Sequence, residues 1–166
     1  MKLPSFIYRS ERVGLHGKPF SVYKIRTMKL GTKTSFAGEE HYTKHGKFLR
    51  KTKIDEFLQL VNVLKGEMRL VGPRSNVQEY WDIAPEHVKK KILSTKPGLT
   101  SLASIMFHDE EFLLQGNEDK YKNYYTIIAP MKNSLDMFYV DYHDIFLDIW
   151  ILFKTSLIII KKIFQK

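Results

Sequence analysis

The 166-residue chain contains no cysteine, which excludes a disulfide framework, a thiol nucleophile and any cysteine-ligated metal centre. It has no Gly-Lys-Ser/Thr phosphate loop of the Walker type, no internal repeat and no low-complexity linker. The first residues, "MKLPSFIYRSERVG", lack the apolar core of a secretory signal. Acidic residues are in deficit: 18 Asp and Glu stand against 27 Lys and Arg, a net charge of +9. Such an excess favours anionic partners, whether nucleic acid, an anionic membrane surface or phosphorylated substrates. Nucleic acid is set aside, because no helix-turn-helix, ribonucleoprotein or zinc-finger signature accompanies the charge. His41 and His45 have helical i, i+4 spacing, but without a third ligand or the His-Glu-x-x-His order they do not read as a metal site.

What is present reads as a helix-rich α/β (α+β) single domain spanning 1–166, with a small β-hairpin and amphipathic membrane-surface helices. "FIYRSERVG" and "KPFSVYKIRTMKL" flank a Gly-Lys-Pro turn and form a hairpin, the second strand carrying Lys24 and Arg26. Residues 29–46 are polar and turn-rich, hence loop. Thr52 is expected to cap a helix over 53–65, with Asp55 in the capping-box position. Ile54, Phe57, Leu58, Val61 and Leu64 recur at helical spacing as its buried face. Asp55, Gln59 and Asn62 share a second stripe, and Glu56 projects about 100° away from Asp55. "KGEMRLVGPRS" is a turn and short extended piece, 76–93 a helix, "KPGLTS" a break, and 108–128 helical. "NSLDMFYVDYH" is ambiguous between helix and strand.

The segment "IFLDIWILFKTSLIIIKKIF" is strongly apolar, but Asp148 and Lys154 interrupt it, and each central charge costs a spanning helix about 2.5–3.5 kcal/mol. Asp144, Asp148 and Thr155 fall on one narrow stripe, with Lys161 and Lys162 placed where lipid phosphates would lie. This fits an interfacial helix, and equally a core helix whose partners lie elsewhere in the domain.

One constellation invites chemistry: the adjacent acids Asp55-Glu56 with Lys24, Arg26 and Arg74 as the basic elements. A carboxylate can attack a phosphoryl centre when cations neutralise the phosphate, and hard oxygen ligands suit magnesium. A capping Asp beside an exposed Glu accounts for the same residues.

Beyond these readings the sequence resembles the bacterial sugar transferases, the monotopic polyprenyl-phosphate glycosyl-1-phosphate transferases. The resemblance is carried in order by "RSERVGLHGKPFSVYKIRTM", "GKFLRKTKIDEFLQLVNVLKGEMRLVGPRS", "KPGLTSLASI" and "SLDMFYVDYHDIFLDIWILFKT". It implies transfer of a sugar-1-phosphate from a UDP-sugar to undecaprenyl phosphate, the initiating step of exopolysaccharide, capsule, O-antigen or glycoprotein glycan synthesis. By that resemblance Asp55 is the nucleophile and Glu56, with Asp55, holds Mg2+. Lys24, Arg26, Pro73, Arg74 and Asp136 become substrate- and phosphate-binding residues. The implied location is the cytoplasmic face of the bacterial inner membrane, on its anionic surface. Three departures accompany it: Ser75 replaces the proline of a Pro-Arg-Pro turn, Leu58 replaces a helix proline, and the usual N-terminal re-entrant membrane helix is not seen before "KLPSFIYRSERVG". A shortened or fragmentary gene product, or a separate membrane-anchor chain, would follow from the last; the expected partners also include a second copy in a homo-oligomer. The competing reading is a truncated, non-catalytic homologue that binds membrane or partner proteins.

Overall fold

The computed structural model describes residues 4–32, 41–109 and 120–164. Alternating side chains at the start of the chain build the expected hairpin: β1 (Ile7–Val13) pairs antiparallel with β2 (Pro19–Ile25), Ile7 opposite Ile25 and Val13 opposite Pro19. Antiparallel partners share a face, so Tyr8, Ser10 and Arg12 lie on the same side as Lys24, Val22 and Phe20. Val22 is fully buried, which makes that side the inner one.

The expected loop at 29–46 is borne out over its described residues, and positions 33–40 lie outside them. The chain then enters α1 (Gly46–Lys51), a 3-10 turn (Ile54–Gln59) and α2 (Leu60–Leu64). The single helix expected over 53–65 is therefore corrected. Lys53 adopts a left-handed conformation with φ of 59° and separates α1 from the 3-10 turn. Thr52 does not cap forward; its hydroxyl donates back to the carbonyls of Phe48 and Leu49, and Asp55 completes no capping box.

The expected burial is inverted as well. Asp55, Glu56, Gln59 and Asn62 are buried, whereas Ile54, Phe57, Val61 and Leu64 are exposed, the last at 88%. Periodicity identifies residues that share a face but not which face turns inward. Here the polar stripe lies against β2: Asn62 donates its side-chain amide to the Ser21 carbonyl and to Glu67, each at 2.8 Å.

Beyond a turn at Gly66, β3 (Arg69–Val71) pairs in parallel with β4 (Gly98–Thr100). The crossover between them contains α3 (Gln78–Ile83) and α4 (Glu86–Ile92) rather than one helix over 76–93. Pro85 explains the difference, since the residue before proline is driven from helical to extended geometry, and Ala84 has ψ of 140°. Trp81, Tyr80, Val88, Ile92 and Val13 form one apolar core.

After α5 (Leu102–Met106), helical chain resumes with α6 (Lys120–Asn123), a π turn and α7 (Ala129–Tyr142). Positions 110–119 of the expected 108–128 helix fall outside the described residues, and the ambiguous 134–143 stretch is helix up to Tyr142. The last helix, α8 (Ile145–Phe164), anchors a second core of Val71, Leu102, Ile105, Tyr139 and Ile151. The polar stripe of α8 does face the domain over Asp148 and Thr155. Asp148 bonds Arg69 and Tyr139, and Thr155 lies 2.7 Å from Thr100. Asp144 instead caps the helix start, accepting the Leu147 N–H. Lys162 turns inward to Asp109 and the His108 carbonyl rather than outward. The opposite side of α8 exposes Phe146, Ile149, Phe153 and Ile160. Among the described residues no helix is long and apolar enough to cross a membrane. The architecture is a helix-rich α+β domain with two small sheets.

Candidate active site

Three backbone devices bring charges together beneath the hairpin. The first is β2, which delivers Lys24 on its inner face. The second is the 3-10 turn, whose tight winding after the left-handed Lys53 leaves both Asp55 and Glu56 buried. Their expected 100° divergence does not send one of them to solvent. The third is the turn after β3, where Gly72 lies directly against Gly98. A methyl group added at Gly98 would lie 2.2 Å from the Gly72 nitrogen, so neither strand could approach this closely with a side chain there. Pro73 is fully buried, and its carbonyl accepts the Gly98 N–H at 2.8 Å. The ladder extends to a bridge between Arg74 and Gly98. Pro73 is thus a positioning residue that aims Arg74.

Glu56 is clamped. Its Oε1 is 2.7 Å from Lys24 Nζ and 2.6 Å from Arg74 Nη2, while Oε2 accepts from Arg74 Nη1 at 3.3 Å. Burial alone would lift this carboxyl, but Arg74 and Lys24 outweigh it and hold Glu56 well below the usual carboxylate range. Burial also lowers the Lys24 ammonium, against the pull of Glu56.

Asp55 is in the opposite state. Its Oδ1 is buried and has no hydrogen-bond partner among the described residues. Burial first, and the neighbouring Glu56 charge second, push its carboxyl up against the pull of Lys24 and Lys53. A buried carboxylate oxygen with no donor costs free energy. Two adjacent acids therefore have divergent electrostatics, the usual sign of divergent roles.

Asp136, on α7, is buried behind this pair and braces the turn, its carboxylate hydrogen-bonding the Arg74 backbone. Burial lifts its carboxyl to about 7, against Arg74 and Lys132. Arg26 does not join the cluster. Its guanidinium donates to the carbonyls of Ser5 and Ile7 and lies over the Tyr8 ring. Ser75 is buried beside Arg74 without disturbing the clamp. Leu58 sits in a turn already bent by its 3-10 geometry.

Arg12 is a residue that sequence reasoning missed. It lies on the inner face of β1, and Val13 pairs with Asn76 two residues past Arg74. The signal was available in strand parity, since Arg12 alternates with Ser10 and Tyr8 opposite Lys24. No group of three or more potential metal-ligating side chains occurs among the described residues, which include His41 and His45 but not positions 33–40. The carboxylates among the clustered charges are Asp55 and Glu56.

Comparison with known proteins bears on the family of the chain. The model of the bacterial sugar transferase family matches residues 2–162. The chain is 37% identical to the uncharacterized sugar transferase EpsL of Bacillus subtilis, over 89% of this chain and 66% of that protein. It is 31% identical to the undecaprenyl-phosphate galactose phosphotransferase of Salmonella typhimurium, over 94% of this chain and 33% of that protein. Identity to the UDP-glucose:undecaprenyl-phosphate glucose-1-phosphate transferase of Caulobacter vibrioides is 39%, over 60% and 40% respectively. The chain therefore spans 33–66% of the length of these relatives. The family match runs from before β1 into the last turn of α8 and takes in every element of the site: the chain belongs to the bacterial sugar transferase family.

Proposed function

We propose that the chain is the catalytic domain of a phosphoglycosyl transferase that moves a sugar-1-phosphate from a UDP-sugar to undecaprenyl phosphate. The observation that carries this reading is the asymmetry of the acid pair, Glu56 clamped by two cations and Asp55 with a buried oxygen that has no hydrogen-bond partner among the described residues. The names of the relatives support the substrate classes. In the first step the Asp55 carboxylate attacks the sugar-bearing phosphorus. A P–O bond to the carboxylate forms, the bridging P–O bond breaks, and UMP leaves with the bond electrons. In the second step a phosphate oxygen of the lipid attacks the same phosphorus and expels Asp55. One site thereby serves a soluble donor and a lipid acceptor in turn. Lys24 and Arg74 neutralise Glu56, which would otherwise repel both phosphates.

The residues fit a magnesium ion of the kind held by one or two carboxylates plus substrate phosphates rather than by a full protein cage. Asp55 and Glu56 would hold it, and it would supply charge neutralisation on the transferred phosphoryl group.

Membrane association is supported by the inverted segment. Phe57, Val61 and Leu64 point outward from the short stretch whose inner side carries the acids, and α8 adds a further apolar surface. Exposed apolar area of this kind fits the headgroup boundary of a bilayer.

The test is UMP release from UDP-sugars with the full chain in vesicles containing undecaprenyl phosphate. The parent is expected to release UMP and to carry a trapped phosphosugar on Asp55 by mass spectrometry. Parent-like release by Asp55→Asn would overturn the nucleophile. No release from any UDP-sugar would favour the non-catalytic reading.

A further inference from the structure

The clamp on Glu56 leaves a cation over. Lys24 and Arg74 together match the charges of Glu56 and an ionised Asp55, and Arg12 stands beside them as a third cation. The strand pairing fixes its place, since Val13 N–H donates to the Asn76 carbonyl at 3.0 Å. This holds Arg12 next to the Arg74 turn, on the inner face it shares with Val22 and Lys24. Its neighbours in charge are Arg74, Glu56, Tyr8 and Tyr124. Glu56 already has a close cation on one oxygen and Arg74 on both. Among the described residues no carboxylate or carbonyl accepts a hydrogen bond from the Arg12 guanidinium. An arginine held against another arginine without an acceptor is an unfavourable arrangement in the isolated chain, and it becomes favourable once an anion bridges the two.

We propose that Arg12 is a phosphate-binding residue of this site, its guanidinium fork and that of Arg74 together receiving the diphosphate of the nucleotide-sugar donor. The proposal rests on the donor class given above. The chemistry matches: a diphosphate diester carries one negative charge on each phosphate, and Arg12 is the cation that Glu56 and an ionised Asp55 leave over beside Lys24 and Arg74. Burial and the adjacent Arg74 also lower the Arg12 guanidinium, with Glu56 opposing them, as expected for a cation awaiting a counter-charge. Arg9 offers the contrast on the same strand. It faces the other way and its Nε donates to Ser21 at 2.9 Å.

The experiment measures binding rather than turnover, using the full chain in a zwitterionic detergent, with UDP and inorganic pyrophosphate as calorimetric probes. Arg12→Gln is expected to weaken both by about 10- to 100-fold, the size of a lost charge-assisted hydrogen bond. Arg9→Gln should stay within about twofold of the parent. The unliganded melting temperature of Arg12→Gln should equal or exceed that of the parent, whereas a merely structural arginine would lower it. Arg12→Lys keeps the charge but not the fork, and is expected to lose about 3- to 10-fold; it decides the question should Arg12→Gln fail to fold. Parent-like affinity in Arg12→Gln, or in Arg12→Lys where only that variant folds, overturns the proposal. If the parent binds pyrophosphate but not UDP and Arg12→Gln loses it, Arg12 stands and the nucleotide donor falls. If the parent binds neither probe, both fall.

Discussion

Replacing Asp136 by asparagine should change how stability depends on pH. Asp136 is 3% exposed, its Oδ1 has no partner among the described residues, and burial lifts its carboxyl from an ordinary 3.8 to about 7. A carboxyl that holds its proton more tightly folded than unfolded stabilises the fold below its unfolded pKa. That contribution is lost as pH rises through the folded value. The interval of about 3 pKa units, at 1.36 kcal/mol each, amounts to about 4 kcal/mol between pH 4 and pH 8. Asparagine is neutral throughout and can still accept the Arg74 backbone hydrogen bond. The amide itself can cost ~1–3 kcal/mol where its second nitrogen donor lacks a partner, but that cost is the same at both pH values. Relative to the parent, Asp136→Asn should therefore gain about 4 kcal/mol on going from pH 4 to pH 8. Urea unfolding in detergent micelles, followed by fluorescence of the buried Trp81, measures the difference. Parallel curves for parent and variant, within about 1 kcal/mol, would refute the reasoning and mean that Asp136 is ionised across the range.

Glu56→Gln should destabilise the fold by about 3–5 kcal/mol in the same assay, because it leaves Lys24 and Arg74 buried without their anion. The parent's Glu56 contribution is present above the ordinary glutamate range and lost as pH falls below it, opposite in sign to Asp136. Gly98→Ala should cost the upper part of the ~1–3 kcal/mol seen for overpacking, or more, since its methyl meets backbone rather than a movable side chain. Phe57→Asp and Leu64→Asp should leave unfolding within about 0.5 kcal/mol but reduce sedimentation with anionic vesicles. Unchanged vesicle binding by both would place the membrane face elsewhere.

The hairpin was legible because strand alternation is local and its Gly-Lys-Pro turn is explicit. The acid pair and Arg74 were legible from residue type and motif. The orientation of the segment around Asp55 was not, because an apolar stripe reads as core unless something outside the chain can cover it. Arg26 shows the same limit. Its strand and parity were readable, but its engagement with Ser5 and Ile7 depends on where the preceding chain passes. The break at Pro85 was readable from the proline itself. What set Lys162 inward is a contact with Asp109, 53 residues away in sequence, which no local pattern encodes.

The inverted segment also bears on how the protein reaches its fold. Rotating residues 54–64 by half a turn would bury Phe57, Val61 and Leu64 and would satisfy the hydrophobic effect in water. It would also tear Glu56 from Lys24 and Arg74. The ion cluster thus opposes that rotation and holds the segment with its acids inside and its apolar side chains outside. Conditions that screen or protonate the cluster weaken the opposition.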